Sequence, residues 1–516
     1  MPKQSTDYLI QLIKSLTKSE KRHFRLFVRR NQASENILFL QLFDLLEKSG
    51  DYDEVKILKD IPEIKKRQLS NLKAHLYKQL LISLRLLNKN YDEEIENRER
   101  IDFAKVLYNK GLYRQALEVL DRVKKRSKEA QQSSLVYEIT EFEKMIEGQY
   151  ITRSIENRAE EITGDSAACL QEMKIENEYS NLSLQLYSLY VKVGYVRDEK
   201  DYYFIKNFFR SNLPDYDYED LTFFGRLYWC QSYVWYHYIS QDFLNCYRYA
   251  QRWTDLFDEE PAMIVRQPAL YLKGLHNLLN ALHNLLHYDK YTEIFARLEA
   301  FPHRFNLKQV KNIEGLYSLF YNIHLIKLHF MAGTFAEGLE DVKPLKKLLR
   351  ENPYNWDERR IMIFNYRLAC MHFGAGDFDR AIDYLNLIIN QKAPDYRGDI
   401  QSFSRILNLI AHFELGNDQL VEYQVKSVYR FLAKMEDLHE VQKEIFRFVR
   451  KLSRVRRDEL HLEFVSLKKK LEKIKENPYE GRAFLYLDII SWLESKIENR
   501  SVQEVTQEKF KRMLQR

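Results

Sequence analysis

Apolar residues recur along this chain at helical spacing. Tyr8, Leu9, Leu12, Ile13 and Leu16 mark one amphipathic helix by their i, i+3 and i+4 intervals. Thr17, with Glu20 three residues on, is a capping-box signature for a second helix, continued by Phe24, Phe27 and Val28. A third helix is predicted from Ile37 to Leu46, ending at Ser49 and Gly50. A fourth runs from Lys65 to Leu87, with Leu69, Leu72, Leu76, Leu80, Leu84 and Leu87 as its apolar residues. Together these predict a small all-helical bundle over residues 1–90. Further along, breaks are expected at Thr163–Ser166, Asn212–Asp215, Glu259–Pro261, Phe301–His303, Glu351–Pro353 and Ala393–Asp395. After Asn417 the pattern predicts one long helix to about Glu476 and a turn over Asn477–Gly481. An apolar helix with Phe484, Leu485, Leu487, Ile489, Ile490, Trp492, Leu493 and Ile497 follows, and then a polar, frayed tail from Arg500.

A short motif punctuates the second half. His-Phe-x-x-Gly occurs at His329–Gly333, His372–Gly376 and His412–Gly416, so its glycines are spaced by 43 and 40 residues. A phenylalanine follows the first two glycines at Phe335 and Phe378. A recurrence with a period near 40 predicts stacked helical hairpins, each burying its face against its neighbours. In that frame the glycine is the turn between two helices and the phenylalanine lines or fills the packing.

Two segments add small and aromatic residues at fixed places: Ala104, Gly111, Tyr113 and Ala116, and again Ala369, Gly376, Phe378 and Ala381. Small residues there let two antiparallel helices approach, and the aromatic fills the hole beside the turn. These segments resemble tetratricopeptide repeats (TPRs). Weaker copies fit the same frame: His237–Phe243 with Gln241 in place of glycine, and His287–Tyr291 with Asp289 at the turn. The Gly333 unit has Gly338 where alanine is usual, and the Gly416 unit has Val421 and no following aromatic. The resemblance covers about residues 95–440. It implies an all-α fold, a TPR-like right-handed superhelix of antiparallel helical hairpins with a helical N-terminal bundle. The expected division is a basic all-helical domain at 1–90, a repeat array at 91–440, and C-terminal helices at 441–516 that cap the solenoid.

Composition agrees with long helices: the 516 residues include only 15 glycines and 10 prolines. Tyrosine (35) and phenylalanine (30) are abundant at helical spacing and fill seams between helices. Cys169, Cys230, Cys246 and Cys370 are far apart and read as reduced thiols. Met1–Asp7 has no charged-then-apolar leader pattern, and no run of about 18 apolar residues occurs. A cytoplasmic protein with no membrane partner is expected. The net charge of +6 is uneven: residues 1–90 carry 18 Lys and Arg against 10 Asp and Glu, and residues 447–475 carry 11 against 4.

Motifs for catalysis are missing from the sequence. Gly374-Ala375-Gly376 lies in an inter-helix turn with no strand before it, unlike a phosphate loop, and no HExxH, GxSxG or zinc-type Cys/His spacing occurs. No catalytic residue, cofactor or metal is therefore expected. His276, His283 and His287 fall on one predicted helix and, by the resemblance, on its concave face. They fit three roles: packing, reading an acidic peptide or sensing pH, and holding a metal. The resemblance also places Arg98, Lys105, Asn109, Trp235, Lys327, Tyr366 and Phe373 on that face. It implies a scaffold or adaptor that binds a protein or peptide in the groove. The basic residues Lys21, Arg22, Arg25, Lys65, Lys66 and Arg67 suggest an alternative, a bacterial regulator with a nucleic-acid-binding head and a TPR-like sensory body.

Overall fold

The structure, a computed structural model, describes residues 2–31, 38–50, 52–89, 92–149, 157–307, 310–391, 398–432, 440–452, 459–477, 479–480, 484 and 488–515. Ile37, Pro394, Gly481, Leu485 and Leu487, invoked above for helix limits and turns, lie outside them. Among the described residues all regular structure is helical, with no strand. The chain divides into two compact units, Met1–Met173 and Lys174–Arg516.

In the first unit, the helices Pro2–Ser15, Lys18–Asn31, Leu38–Ser49 and Lys66–Asn88 surround a core that includes Leu9, Phe24, Phe43, Leu76 and Leu80. The Thr17 capping box is formed: the Thr17 amide donates to Glu20 Oε2 at 2.6 Å, and the Glu20 amide donates to Thr17 Oγ1 at 3.2 Å. The next helices, Glu93–Asn109 and Tyr113–Glu129, pack along their lengths around fully buried Ala104 and Ala116. Gly111 turns the chain between them in the left-handed region, at φ +75°. Thr163–Ser166, expected as a break, lies inside the helix Arg158–Val193. The helix continues because its polar side chains have partners across the packing. Asp165 Oδ2 lies 2.8 Å from Lys124 Nζ, and Lys144 Nζ donates to Ser166 Oγ at 2.5 Å.

Lys124 also meets the fully buried Glu143 at 2.8 Å, and Arg158 reaches Glu143 at 3.4 Å. Burial opposes the Lys124 charge, yet hydrogen bonds with Asp165 and Glu143 outweigh it and raise its pKa above the usual lysine value. Removing one partner of a buried pair strands the other charge. Glu143→Ala is therefore expected to lower unfolding stability by about 3 kcal/mol, read from urea denaturation. A loss under about 1 kcal/mol would contradict this role.

In the second unit, successive helices form pairs joined by short turns. The pairs are Phe223–Ile239 with Phe243–Glu259, Pro268–Asn284 with Tyr288–Glu299, Lys311–Ala332 with Phe335–Asp341, Glu358–Gly374 with Phe378–Ile389, and Gly398–Glu414 with Asp418–Leu432. Each turn has one residue at positive φ: Gln241, Leu286, Gly333, Gly376 and Gly416. Gln241 therefore takes the glycine role that its place in the motif implied. In the second pair the left-handed residue is Leu286, whereas Asp289 lies in the first turn of the following helix. At Gly338, where the resemblance expects alanine, the His329 ring fills the space: a Cβ there would lie 2.6 Å from His329 Cγ.

The expected single helix after Asn417 is instead three, Asp418–Leu432, Glu440–Leu452 and Leu460–Lys475. Trp492 packs against Phe448 and Phe464 and donates from Nε1 to Glu414 Oε1 at 2.6 Å. The tail is ordered. Ser501 and Glu504 form a capping box for the helix Val502–Leu514, which packs on Lys311–Ala332 and on Ile489–Glu498. Its Val505 and Thr506 are buried, and Phe510 meets Tyr288 edge-on at 4.6 Å. The last helix thus docks beside the Gly333 turn, midway through the order of pairs.

Candidate functional site

The repeated histidines have a common geometry. In each copy the histidine stands on the last turn of the first helix, and the residue five positions on begins the second. Backbone amides of Asp242, Thr334, Asp377 and Asn417 donate to the carbonyls of His237, His329, His372 and His412 at 2.9–3.0 Å. The same residue pairs also meet through their side chains. The histidine Nδ1 lies 3.2 Å from Asp242 Oδ2, 2.8 Å from Thr334 Oγ1, 3.0 Å from Asp377 Oδ2 and 3.2 Å from Asn417 Nδ2. Each histidine therefore latches one helix end to the start of the next. Burial holds His237, His372 and His412 below the ordinary imidazole range, against the pull of nearby aspartates, so the rings favour the neutral form. His372 is fully buried, with its ring stacked on Tyr384. His372→Ala removes a buried hydrogen bond and leaves a cavity, at an expected cost of about 2–4 kcal/mol in a denaturant melt. A change within about 0.5 kcal/mol would contradict the latch.

A different polar cluster forms between pairs, where the first helices Pro268–Asn284, Lys311–Ala332 and Glu358–Gly374 pack in succession. Most of these helix faces are apolar, so polar groups here must find partners. Lys327 Nζ donates to Asn280 Oδ1 at 2.6 Å, which fixes the orientation of that amide. Asn280 Nδ2 then donates to His276 Nε2 at 3.0 Å, and His276 Nδ1 donates to His324 Nε2 at 2.9 Å. His324 Nδ1 meets Tyr291 Oη at 3.0 Å, and Tyr291 donates in turn to the His324 carbonyl at 2.9 Å. The only consistent direction of this relay assigns both histidines as neutral tautomers. Burial pushes His276 down to about 3 and His283 and His324 well below the ordinary range, with the Lys327 and Arg367 charges acting the same way.

Lys327 carries no carboxylate partner among the described residues. Burial, and then the Arg367 charge, push its ammonium well below the usual lysine range. Arg367 donates from Nη1 to the Ile323 carbonyl at 3.2 Å. Cys370, on the same helix, is pushed up to about 12 by burial, so it adds no negative charge. His283 Nδ1 is buried without a hydrogen-bond partner. The cluster is thus cationic or neutral.

His276, His283 and Lys327, expected from sequence, therefore come together here. His287 does not: the helix ends at Asn284, and His287 is the exposed cap of the next helix. Tyr366 is buried one residue before Arg367, and Phe373 is buried against Phe378 at 5.2 Å. Trp235 is half-buried in an aromatic patch, with ring centroids 5.0 Å from Tyr187 and 5.4 Å from Tyr190. In the first unit Arg98 pairs with Glu94 at 2.9 Å, Lys105 lies over the Phe142 ring at 4.9 Å, and Asn109 is exposed. Among the basic residues, Lys21 meets Glu47 at 3.3 Å, Arg25 meets Asp44 at 2.7 Å, and Lys66 meets Glu54 at 3.5 Å. Arg22, Lys65 and Arg67 are exposed. His324, Asn280, Tyr291, Arg367 and Cys370 were not anticipated. Their signal is a polar residue inside an apolar run, as in Leu278-Leu279-Asn280-Ala281-Leu282.

Among the described residues, no group of three or more His, Cys, Asp and Glu side chains is placed to hold a metal ion. None of their helices is long and apolar enough to cross a membrane. No protein-family model matches the chain, and neither does a curated protein or a solved structure.

Proposed function

We propose that the chain is a non-catalytic scaffold or adaptor that binds a protein or peptide along the groove of a TPR-like superhelix. The observation that carries this reading is the run of first helices in consecutive pairs. Their neighbouring faces hold basic and aromatic groups, among them Lys327, which donates to Asn280, and His283, whose Nδ1 has no hydrogen-bond partner among the described residues. Trp235 and the exposed Tyr187 supply an apolar anchor point of the kind that dominates binding energy at interfaces. Histidines tied into a neutral relay are poor general bases, which favours recognition over catalysis. The test is affinity capture from the source cell with the wild type and Trp235→Ala. At least one partner is expected to be lost from the variant, and equal recovery of every partner by both would contradict the reading.

One observation favours the alternative of a nucleic-acid-binding head, the exposure of Arg22, Lys65 and Arg67. Against it, Lys21 and Arg25 are already paired with carboxylates of the helix Leu38–Ser49. Mobility shift with mixed DNA and RNA at about 50 mM salt, where phosphate contacts are strong, separates the two readings. Retardation would support the head, and its absence would remove that alternative.

A further inference from the structure

We infer that the helices Lys66–Asn88 and Glu93–Asn109 of the first unit form a seat for an acidic amphipathic helix of a partner protein. The Trp235 patch belongs to the second unit, so this inference goes beyond the groove reading. Two ion pairs fix how the two helices face each other. Arg85 meets Asp102 at 3.4 Å and Lys89 meets Glu99 at 3.2 Å, so the helices run antiparallel and turn these faces together. Leu81 lies one turn before Arg85 and Val106 one turn after Asp102, on the same faces, and Phe103 adjoins Asp102. Away from the bridges the two helices scarcely touch, and the apolar residues stay open: Leu81 is 44% exposed, Phe103 52% and Val106 57%. Scattered apolar residues are ordinary at a surface, but these three line the facing sides of one helical hairpin.

The far side of Glu93–Asn109 shows what such a face accepts. There the helix Tyr113–Glu129 packs along it around buried Ala104. Stacked helices bury each face against a neighbour, yet no helix packs along the Phe103 side among the described residues. Charge then selects the occupant. From Ile64 to Tyr91 the chain carries seven Lys and Arg and no Asp or Glu, and from Phe103 to Leu117 it carries Lys105, Lys110 and Arg114 and again no carboxylate. Lys78, one turn before Leu81, and Lys110, one turn after Val106, are exposed and have no ion pair among the described residues. An acidic helix with an apolar stripe matches both features, its stripe on Leu81, Phe103 and Val106 and its carboxylates on the lysines. Nucleic acid matches the charge alone, because phosphates gain nothing from exposed leucine and valine. A bilayer takes apolar residues from one outward plane, whereas these line two faces turned toward each other.

The test is fluorescence anisotropy of a labelled helical peptide, with leucines on one face and glutamates and alanines on the other, titrated with the full chain at about 50 mM salt. A peptide of the same composition with its leucines scrambled, a DNA duplex, and vesicles of phosphatidylserine and phosphatidylcholine serve as comparison probes. Binding of the amphipathic peptide is expected to weaken by at least ~10-fold in Leu81→Gln/Val106→Gln and in Lys78→Glu/Lys110→Glu, and to weaken as salt is raised to about 200 mM. All four side chains are exposed, so the melting temperature is expected to hold in both double variants. Trp235→Ala is expected to bind the peptide as the wild type does. No binding, equal binding of the scrambled peptide, or full affinity in either double variant would overturn the seat. Tighter binding of the duplex or the vesicles than of the peptide, lost in the same variants, would overturn the choice of partner. If the peptide fails while Trp235-dependent capture persists, the seat falls and the groove reading stands.

Discussion

Gly333→Ala is expected to destabilise the second unit far more than the same change at Gly376 or Gly416. All three glycines sit at positive φ, between +68° and +80°, where an added Cβ costs about 1 kcal/mol. At Gly376 and Gly416 nothing lies within 4 Å of such a Cβ, so that conformational cost is the whole effect. At Gly333 the Cβ would meet the backbone nitrogen of Gln507 at 2.8 Å and Thr506 Cβ at 2.9 Å. Backbone cannot rotate away, so the C-terminal helix must lift from its seat. Its anchors there include buried Val505 and the Gln503 side chain, which accepts from the Ala336 amide at 3.0 Å. A loss of about 3 kcal/mol or more is expected, with faster proteolysis beyond Arg500. Denaturant melts of the three single variants give the comparison. Equal losses at all three positions would show that the helix is not seated on this turn.

The second large effect is acid lability. His276, His283 and His324 stay neutral in the folded chain because burial holds them far below their unfolded value near 6.5. Their folded pKa is depressed, so their contribution is complete above pH 6.5 and is lost as the pH falls below it. In that range the unfolded chain binds up to three more protons. Each contributes about 1.4 kcal/mol per pH unit, so the three together approach roughly 4. Two pH units then remove about as much as a whole domain has to spare. Geometry agrees with this sign, since protonating His276 or His324 breaks the relay through Asn280. Unfolding of the second unit is expected between about pH 5 and pH 4, and His324→Gln should lower the slope by about 1.4 kcal/mol per pH unit. A flat stability profile from pH 7 to 4.5 would contradict the neutral relay.

Much of the local architecture was legible from side-chain chemistry alone. The Thr17 capping box, the turns at Gly111, Gly333, Gly376 and Gly416, and the close-packed Ala104 and Ala116 all follow from rules that act within one or two helices. Failures occurred where longer-range contacts decided. Leu286 adopts a left-handed turn that leucine disfavours, held by the surrounding helix pair, and nothing at that residue signals it. Thr163–Ser166 looked like a loop because its partners Lys124 and Lys144 come from other helices. The ordered tail was readable after all: Ser501 and Glu504 have the capping-box spacing, masked by the polar residues around them. The cluster was half legible. His276, His283 and Lys327 could be assigned to a helix face, but His324 joins His276 across 48 residues of chain. Tertiary pairing of that kind leaves no periodic trace.

The histidine latches and the buried relay make different demands on the protein, and one crossed comparison separates them. Unfolding free energy is measured against pH for the wild type, His372→Ala and His324→Gln. His372→Ala is expected to lose about 2–4 kcal/mol at pH 7. For His324→Gln the expected result is a slope below pH 6.5 that is shallower by about 1.4 kcal/mol per pH unit. Unchanged stability at His372 together with an unchanged slope at His324 would contradict both the latch and the neutral relay.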